Sequence, residues 1–165
     1  MTPEALRALQ SPLKLRYRTE PAAALVTSVA VATLDQGRIA CRVESPQPGA
    51  DVGLHPTAGG DGTLRCSGDM LLEALAGCAG VTLLAVATAM GITIRSGTIR
   101  AEGDWDARGT LGVSKEVPVG CTAIRLRVKL DSDATAEQLT KLLELTERYC
   151  VVAQTLKAGV KVEVG

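Results

Sequence analysis

Residues 67–91 read SGDMLLEALAGCAGVTLLAVATAMG, the longest apolar run in the chain. Between Met70 and Met90 there is one charge, Glu73, and no proline. Ser67 or Asp69 can accept the first free backbone N–H groups, and Gly91 supplies the left-handed residue that commonly follows a helix end. The stretch predicts one helix of about six turns with at least two faces buried. Cys78 lies near its middle, on a stripe shared with Leu71, Leu75, Thr82 and Ala85. Length and hydropathy would also suit a bilayer span. Against that stand Glu73, the many Ala, Gly and Thr residues, and the lack of Trp or Tyr at either end, so a buried helix is expected and no membrane.

What surrounds this helix is built from small side chains. The 165 residues suit a single domain, 46% of them hydrophobic, with no Phe, one Trp and two Tyr. A core of Leu, Val, Ile and Ala fills space well only where backbones approach closely, which favours tightly packed helices and an intersubunit contact. Eighteen basic and eighteen acidic residues leave no net charge, so nothing favours a nucleic acid or an anionic membrane as partner. The first residues, MTPEALRALQ, lack the apolar core of a signal peptide, and a cytoplasmic protein is expected. There, Cys41, Cys66, Cys78, Cys121 and Cys150 would form no standing disulfide framework. No CxxC pair and a single histidine, His55, argue against a metal site; His55 suits a loop role or a substrate contact.

Working outward, residues 1–24 read as a helix and arm extension, with Thr2 as cap, Pro3 at the first helical position, and Pro12 and Pro21 as punctuation. Leu25–Thr33 and Arg38–Glu44 alternate as two strands around a turn at residues 34–37. Residues 45–65 carry the glycines and prolines of a long loop. Its GGDG matches neither Walker nor dinucleotide spacing, and so turns the chain. Thr98–Trp105 and Ile124–Leu130 are further strands, the latter with Ile124, Leu126, Val128 and Leu130 on one face. Thr135 and Gln138 form a capping box ahead of a helix that runs to Cys150, and Val160–Val164 is expected as a last strand. Strands and helices in separate runs make the class α+β, with antiparallel sheets.

A cysteine on an apolar helix ordinarily serves as a small hydrophobe. To react, Cys78 needs a cation beside it. Residues 68–90 hold no Lys, Arg or His, and Cys78 lies too far along its own helix to feel that helix's dipole. The cation must come from elsewhere in the fold. Gly77 and Gly80 flank the thiol, and each costs about 1 kcal/mol against Ala inside a helix, so close approach of another backbone is expected there, with a second copy of the helix as the candidate.

The combination of LLEALAGCAGVTL, GDWDARGTLGV, PVGCTAIRLRVKL and TERYCVVAQTL resembles the OsmC/Ohr family over residues 25–165. That resemblance implies an α+β, OsmC-like domain at residues 25–165, intertwined as a homodimer around long central helices. It implies a thiol peroxidase that reduces organic hydroperoxides, with Cys78 peroxidatic and Cys150 resolving, an external dithiol as reductant, and no metal or organic cofactor. The family's activating glutamate falls on Gly68. Asp69 beside it could serve only if the helix begins after it. For the family's arginine, Arg38 is nearest by chain order, with Arg42 and Arg18 behind. The competing reading is a non-catalytic dimer that binds a small apolar ligand. Acyl or disulfide transfer lacks a general-base histidine beside either cysteine. Cys66, close to the helix start, is a candidate third redox partner.

Overall fold

The computed structural model describes residues 2–20, 31–35, 40–44, 49–112 and 114–164. It divides into two compact units, one of Met1–Val26, Ala74–Arg100 and Arg127–Gly165, the other of Thr27–Glu73 and Ala101–Leu126. Three elements have residues in both: α2 (Ser67–Met90), β5 (Ile94–Trp105) and β6 (Cys121–Ser132).

The first unit carries α1 (Pro3–Thr19), α4 (Ala136–Tyr149) and α5 (Val151–Ala158). Thr2 caps α1 through Ala5 N–H at 3.2 Å, and the helix continues past Pro12, which does not end it. α2 runs unbroken and closes on Gly91 (φ +70°), with Ile92 N–H reaching Ala87 O at 2.9 Å and Gly91 N–H reaching Thr88 O at 3.2 Å. This paired closure satisfies the last carbonyls of the helix and turns Ile92 inward. Leu83, Ala87, Ile92 and Leu142 form the core, with Ile99, Val128 and Leu130 packed around them.

The expected burial of two faces of α2 is corrected. Leu75, Ala79, Leu83 and Ala87, four residues apart, make one buried line, while Val81 and Leu84 remain 71% and 54% exposed. The helix contains an 18-residue stretch of mean hydropathy 2.0 and is long and apolar enough to cross a bilayer, but in this fold it contributes Leu83 and Ala87 to the core. The capping box is formed: Gln138 N–H donates to Thr135 Oγ1 and Thr135 N–H to Gln138 Oε1. The last strand is not. After Gly159 (φ +59°) residues 160–164 have no ladder partner among the described residues, and Val162 and Val164 are 82% and 93% exposed. Alternation makes a segment able to join a sheet, but a strand forms only against an edge that accepts it.

The second unit holds β1 (Val31–Asp35), β2 (Ala40–Glu44), β3 (Ala50–Gly53) and β4 (Arg65–Cys66), in that order across one sheet. The hairpin forms in the register Val31↔Glu44 to Asp35↔Ala40; residues 25–30 and 36–39 of the expected strands and turn lie outside the described residues. The long loop is more ordered than its glycines suggest. It contains β3, antiparallel to β2, and a 3₁₀ turn at Pro56–Ala58 capped by His55, whose Nδ1 accepts from Thr57 N–H at 3.1 Å. The His55 ring also stands edge-on to Trp105, centroids 5.2 Å apart, so the loop role applies. β4 pairs with β3 in parallel, against the expectation of purely antiparallel pairing. Arg65 on β4 pairs with Glu73, the single charge of the apolar run. α3 (Ala107–Thr110) is capped by Asp106, whose carboxyl is lowered to about 2 by the side-chain and backbone hydrogen bonds of Arg108. In the β5–β6 sheet, Arg125 grips both carboxylate oxygens of Asp104, at 2.5 and 2.7 Å.

Candidate thiol site

The two cysteines singled out in sequence meet in the first unit. Cys78 comes from α2, and Cys150 sits where α4 ends and α5 begins. At Cys150 the backbone is extended (φ −73°, ψ 108°), so what reads as one helix is two. Cys150 N–H still closes α4 on Thr146 O at 2.9 Å, and Cys150 O still accepts Gln154 N–H at 2.9 Å to open α5. Between those two bonds, the first N–H groups of α5 have no helical partner. The Val152 and Val151 amides favour the thiolate form of Cys78, while the Cys150 side chain makes no cap hydrogen bond to the first turn of α5.

This geometry separates the two thiols electrostatically. Burial pushes the Cys78 thiol up, but the Val152 amide, the Cys150 thiol, the Val151 amide and the Thr82 hydroxyl together outweigh it and hold Cys78 below the ordinary thiol range. Cys150 goes the other way: burial, then the hydrogen bond to Cys78 and the charge on it, raise its pKa against the Ala153 and Val152 amides. Of the two, Cys78 is therefore the thiol that ionises more readily. Cys78 is half-buried, Cys150 is 1% exposed, and both are free thiols.

Among the described residues, what favours the Cys78 thiolate is backbone amides and hydroxyl and thiol groups rather than a cation. The positive end is that of α5, a helix whose start the sequence does not announce. Gly77 and Gly80 meet no other backbone within the chain: a Cβ on Gly77 would find nothing within 4 Å, and one on Gly80 only Ile99 Cδ1 at 3.9 Å.

None of the other candidates among the described residues is brought to the thiols. Arg38 lies outside the described residues. Asp69 fails its condition, because α2 begins at Ser67 and Asp69 is the helix's third residue. Nine residues before Cys78, it points half a turn away. In the second unit, Asp69, Cys66 and His55 instead line a cleft of about 320 Å³. Among the described residues no cluster of three or more His, Cys, Asp or Glu side chains is placed to hold a metal ion. Sequence reading missed the amides of residues 151–153, since nothing in TERYCVVAQTL breaks a helix by composition.

Comparison with known proteins agrees with this architecture. The family described as OsmC-like protein matches residues 60–165. Among solved structures, an OsmC-like protein from Mycoplasma pneumoniae is similar at 18% identity, over 85% of this chain and 95% of that one, with a TM-score of 0.69. A Legionella pneumophila protein named as the organic hydroperoxide resistance protein OsmC is similar at 19% identity, over 85% and 96%, with a TM-score of 0.58. The organic hydroperoxide resistance protein OhrB of Bacillus subtilis is similar at 19% identity, over 85% and 97%, with a TM-score of 0.54. At these identities the likeness is one of fold. No curated protein matches the chain.

Proposed function

This chain belongs to the family of OsmC-like proteins, and from that premise we propose that it is a thiol-dependent peroxidase acting on organic hydroperoxides. The observation that carries the reading is the pairing of Cys78 with Cys150 at the start of α5, which lowers the pKa of the first thiol and raises that of the second. Two fold relatives bear the name organic hydroperoxide resistance protein, which supports the substrate class.

The chemistry follows from the two thiols. The Cys78 thiolate attacks one oxygen of the O–O bond; an S–O bond forms, the O–O bond breaks, and the alkoxide leaves as an alcohol after taking a proton. Cys78 becomes a sulfenic acid. The Cys150 sulfur then displaces its hydroxyl, giving a Cys78–Cys150 disulfide and water. An external dithiol reduces the disulfide by two electrons and restores both thiols. The protein's part is to hold Cys78 deprotonated and to keep Cys150 protonated beside it until the sulfenic acid forms. No resident metal or organic cofactor takes part.

The working form in this reading is a cytoplasmic homodimer. Val81, Leu84 and the open side of Gly77 present an apolar strip on α2 that one chain leaves uncovered, and a second α2 would bury it. Residues 1–24 then extend an OsmC-like domain of residues 25–165.

The test is consumption of an organic hydroperoxide by the wild type, Cys78→Ser and Cys150→Ser, with dithiothreitol or a lipoyl dithiol as reductant. Loss of turnover in Cys78→Ser, and loss of recycling in Cys150→Ser, are expected. Equal rates for all three would end the peroxidase reading.

A further inference from the structure

We propose that the cleft of the second unit binds small, positively charged disulfides, which Asp69 holds by charge and Cys66 captures as a mixed disulfide. Four residues that the Cys78–Cys150 site leaves unused meet there: His55, Cys66 and Asp69 line the cleft, and Gly68 lies beside the Cys66 sulfur. At about 320 Å³ the cleft is at the small end of ligand pockets. Its walls are fixed from behind. The His55 ring is held by Thr57 N–H and stands edge-on to Trp105, while Arg65 and Glu73 pair with each other.

That pairing leaves two groups of the lining for a ligand. Asp69 forms no hydrogen bond or ion pair with any described residue, so its carboxylate is the charge of the cleft that lacks a partner. Cys66 is a free, half-buried thiol, and a Cβ at residue 68 would stand 3.6 Å from its sulfur, so glycine leaves that side of the thiol open. Pro56 and Leu64 offer carbon surface to a short methylene chain. An ammonium group a few bonds from a disulfide sulfur matches this lining, which is the chemistry of an aminothiol disulfide. The capture is thiol–disulfide exchange. Cys66 loses its proton to water, and its sulfur attacks one sulfur of the ligand. An S–S bond forms to Cys66 as the ligand's own S–S bond breaks, and the other half leaves and takes up a proton as the free aminothiol. Cys66 is oxidised, the departing half is reduced, and the disulfide is the oxidant.

The test is read at Cys66 and so is independent of peroxide turnover at Cys78. Reduced full-length protein is exposed to cystamine, which carries an ammonium at each end, or to dithiodiglycolate, a short disulfide with a carboxylate at each end. Mixed disulfides on Cys66 and Cys121 are followed by peptide mass spectrometry. Cys121, an exposed free thiol of the same unit, reports the reactivity of each reagent outside the cleft. The preference of Cys66 for cystamine, divided by that of Cys121, is expected to be about fivefold, the upper range for one exposed charge pair, and to fall toward one in Asp69→Asn. A divided preference near one in the wild type, or an unchanged one in folded Asp69→Asn, overturns the site. If that variant does not fold, the wild type at low salt and at about 1 M salt decides. A preference that collapses at high salt supports charge recognition in the cleft, and one indifferent to salt overturns it.

Discussion

Thr82 stands one turn beyond Cys78 on α2, and its hydroxyl adds to what favours the Cys78 thiolate. Other helical threonines behave differently: Thr88, Thr140, Thr146 and Thr155 each donate to the carbonyl four residues earlier. Thr82→Val keeps the shape and removes the donor. The Cys78 midpoint in alkylation should rise by about half a unit, with little change in the urea midpoint.

The opposed shifts of the two thiols predict two pH profiles. Cys78 has a folded pKa below its unfolded value, so its contribution to stability is present above the unfolded value and is lost as pH falls through the folded one. Cys150 has a folded pKa above its unfolded value, so its contribution is present below the unfolded value and is lost as pH rises through the folded one. Residue-resolved alkylation should place the Cys78 midpoint below about 8.5, the ordinary thiol value, and the Cys150 midpoint above it. Coincident midpoints would contradict the division of roles.

Leu142 is fully buried in the core cluster with Leu83, Ala87 and Ile92. Leu142→Ala should cost about 3 kcal/mol in urea unfolding, from lost burial plus the cavity left behind. Its effect on the Cys78 alkylation midpoint should be small, since it touches neither sulfur's hydrogen-bond donors.

Two glycines should respond to alanine in opposite ways. A Cβ on Gly109 would meet the backbone oxygens of Pro118 at 2.6 Å and Val117 at 2.9 Å, so Gly109→Ala should destabilise by about 1–3 kcal/mol. Gly77 faces open space, so Gly77→Ala should stabilise an isolated chain by about 1 kcal/mol. If α2 packs on a second copy there, the same change should weaken association, which sedimentation at several concentrations would show.

Much of this was legible in the sequence, for reasons that can be named. α2, its Gly91 ending, the capping box at Thr135 and the strand around Ile124–Leu130 are each written in local pattern, and the structure has all four. Both cysteines were identified, but the source of the field on Cys78 was not. Its donors are backbone amides, which every residue carries, and they are released by a break at Cys150 that no helix breaker signals. Likewise the residues around Gly49–Gly62 read as loop because turn formers outnumber strand formers, while β3 spans only Ala50–Gly53 and owes its strand to β2 beside it. Val160–Val164 erred the other way, having the alternation of a strand with no edge to complete it.

In the proposed cycle, the near-complete burial of Cys150 would set the direction of recycling. In a Cys78–Cys150 disulfide the two sulfurs are chemically alike but unequally reachable, and an incoming dithiol meets Cys78 first. In that cycle the mixed disulfide would be carried on Cys78, and Cys150 would leave and take up a proton, since burial and the neighbouring Cys78 raise its pKa. The seam between α4 and α5 would thus hide one sulfur of the disulfide and leave the other to the reductant.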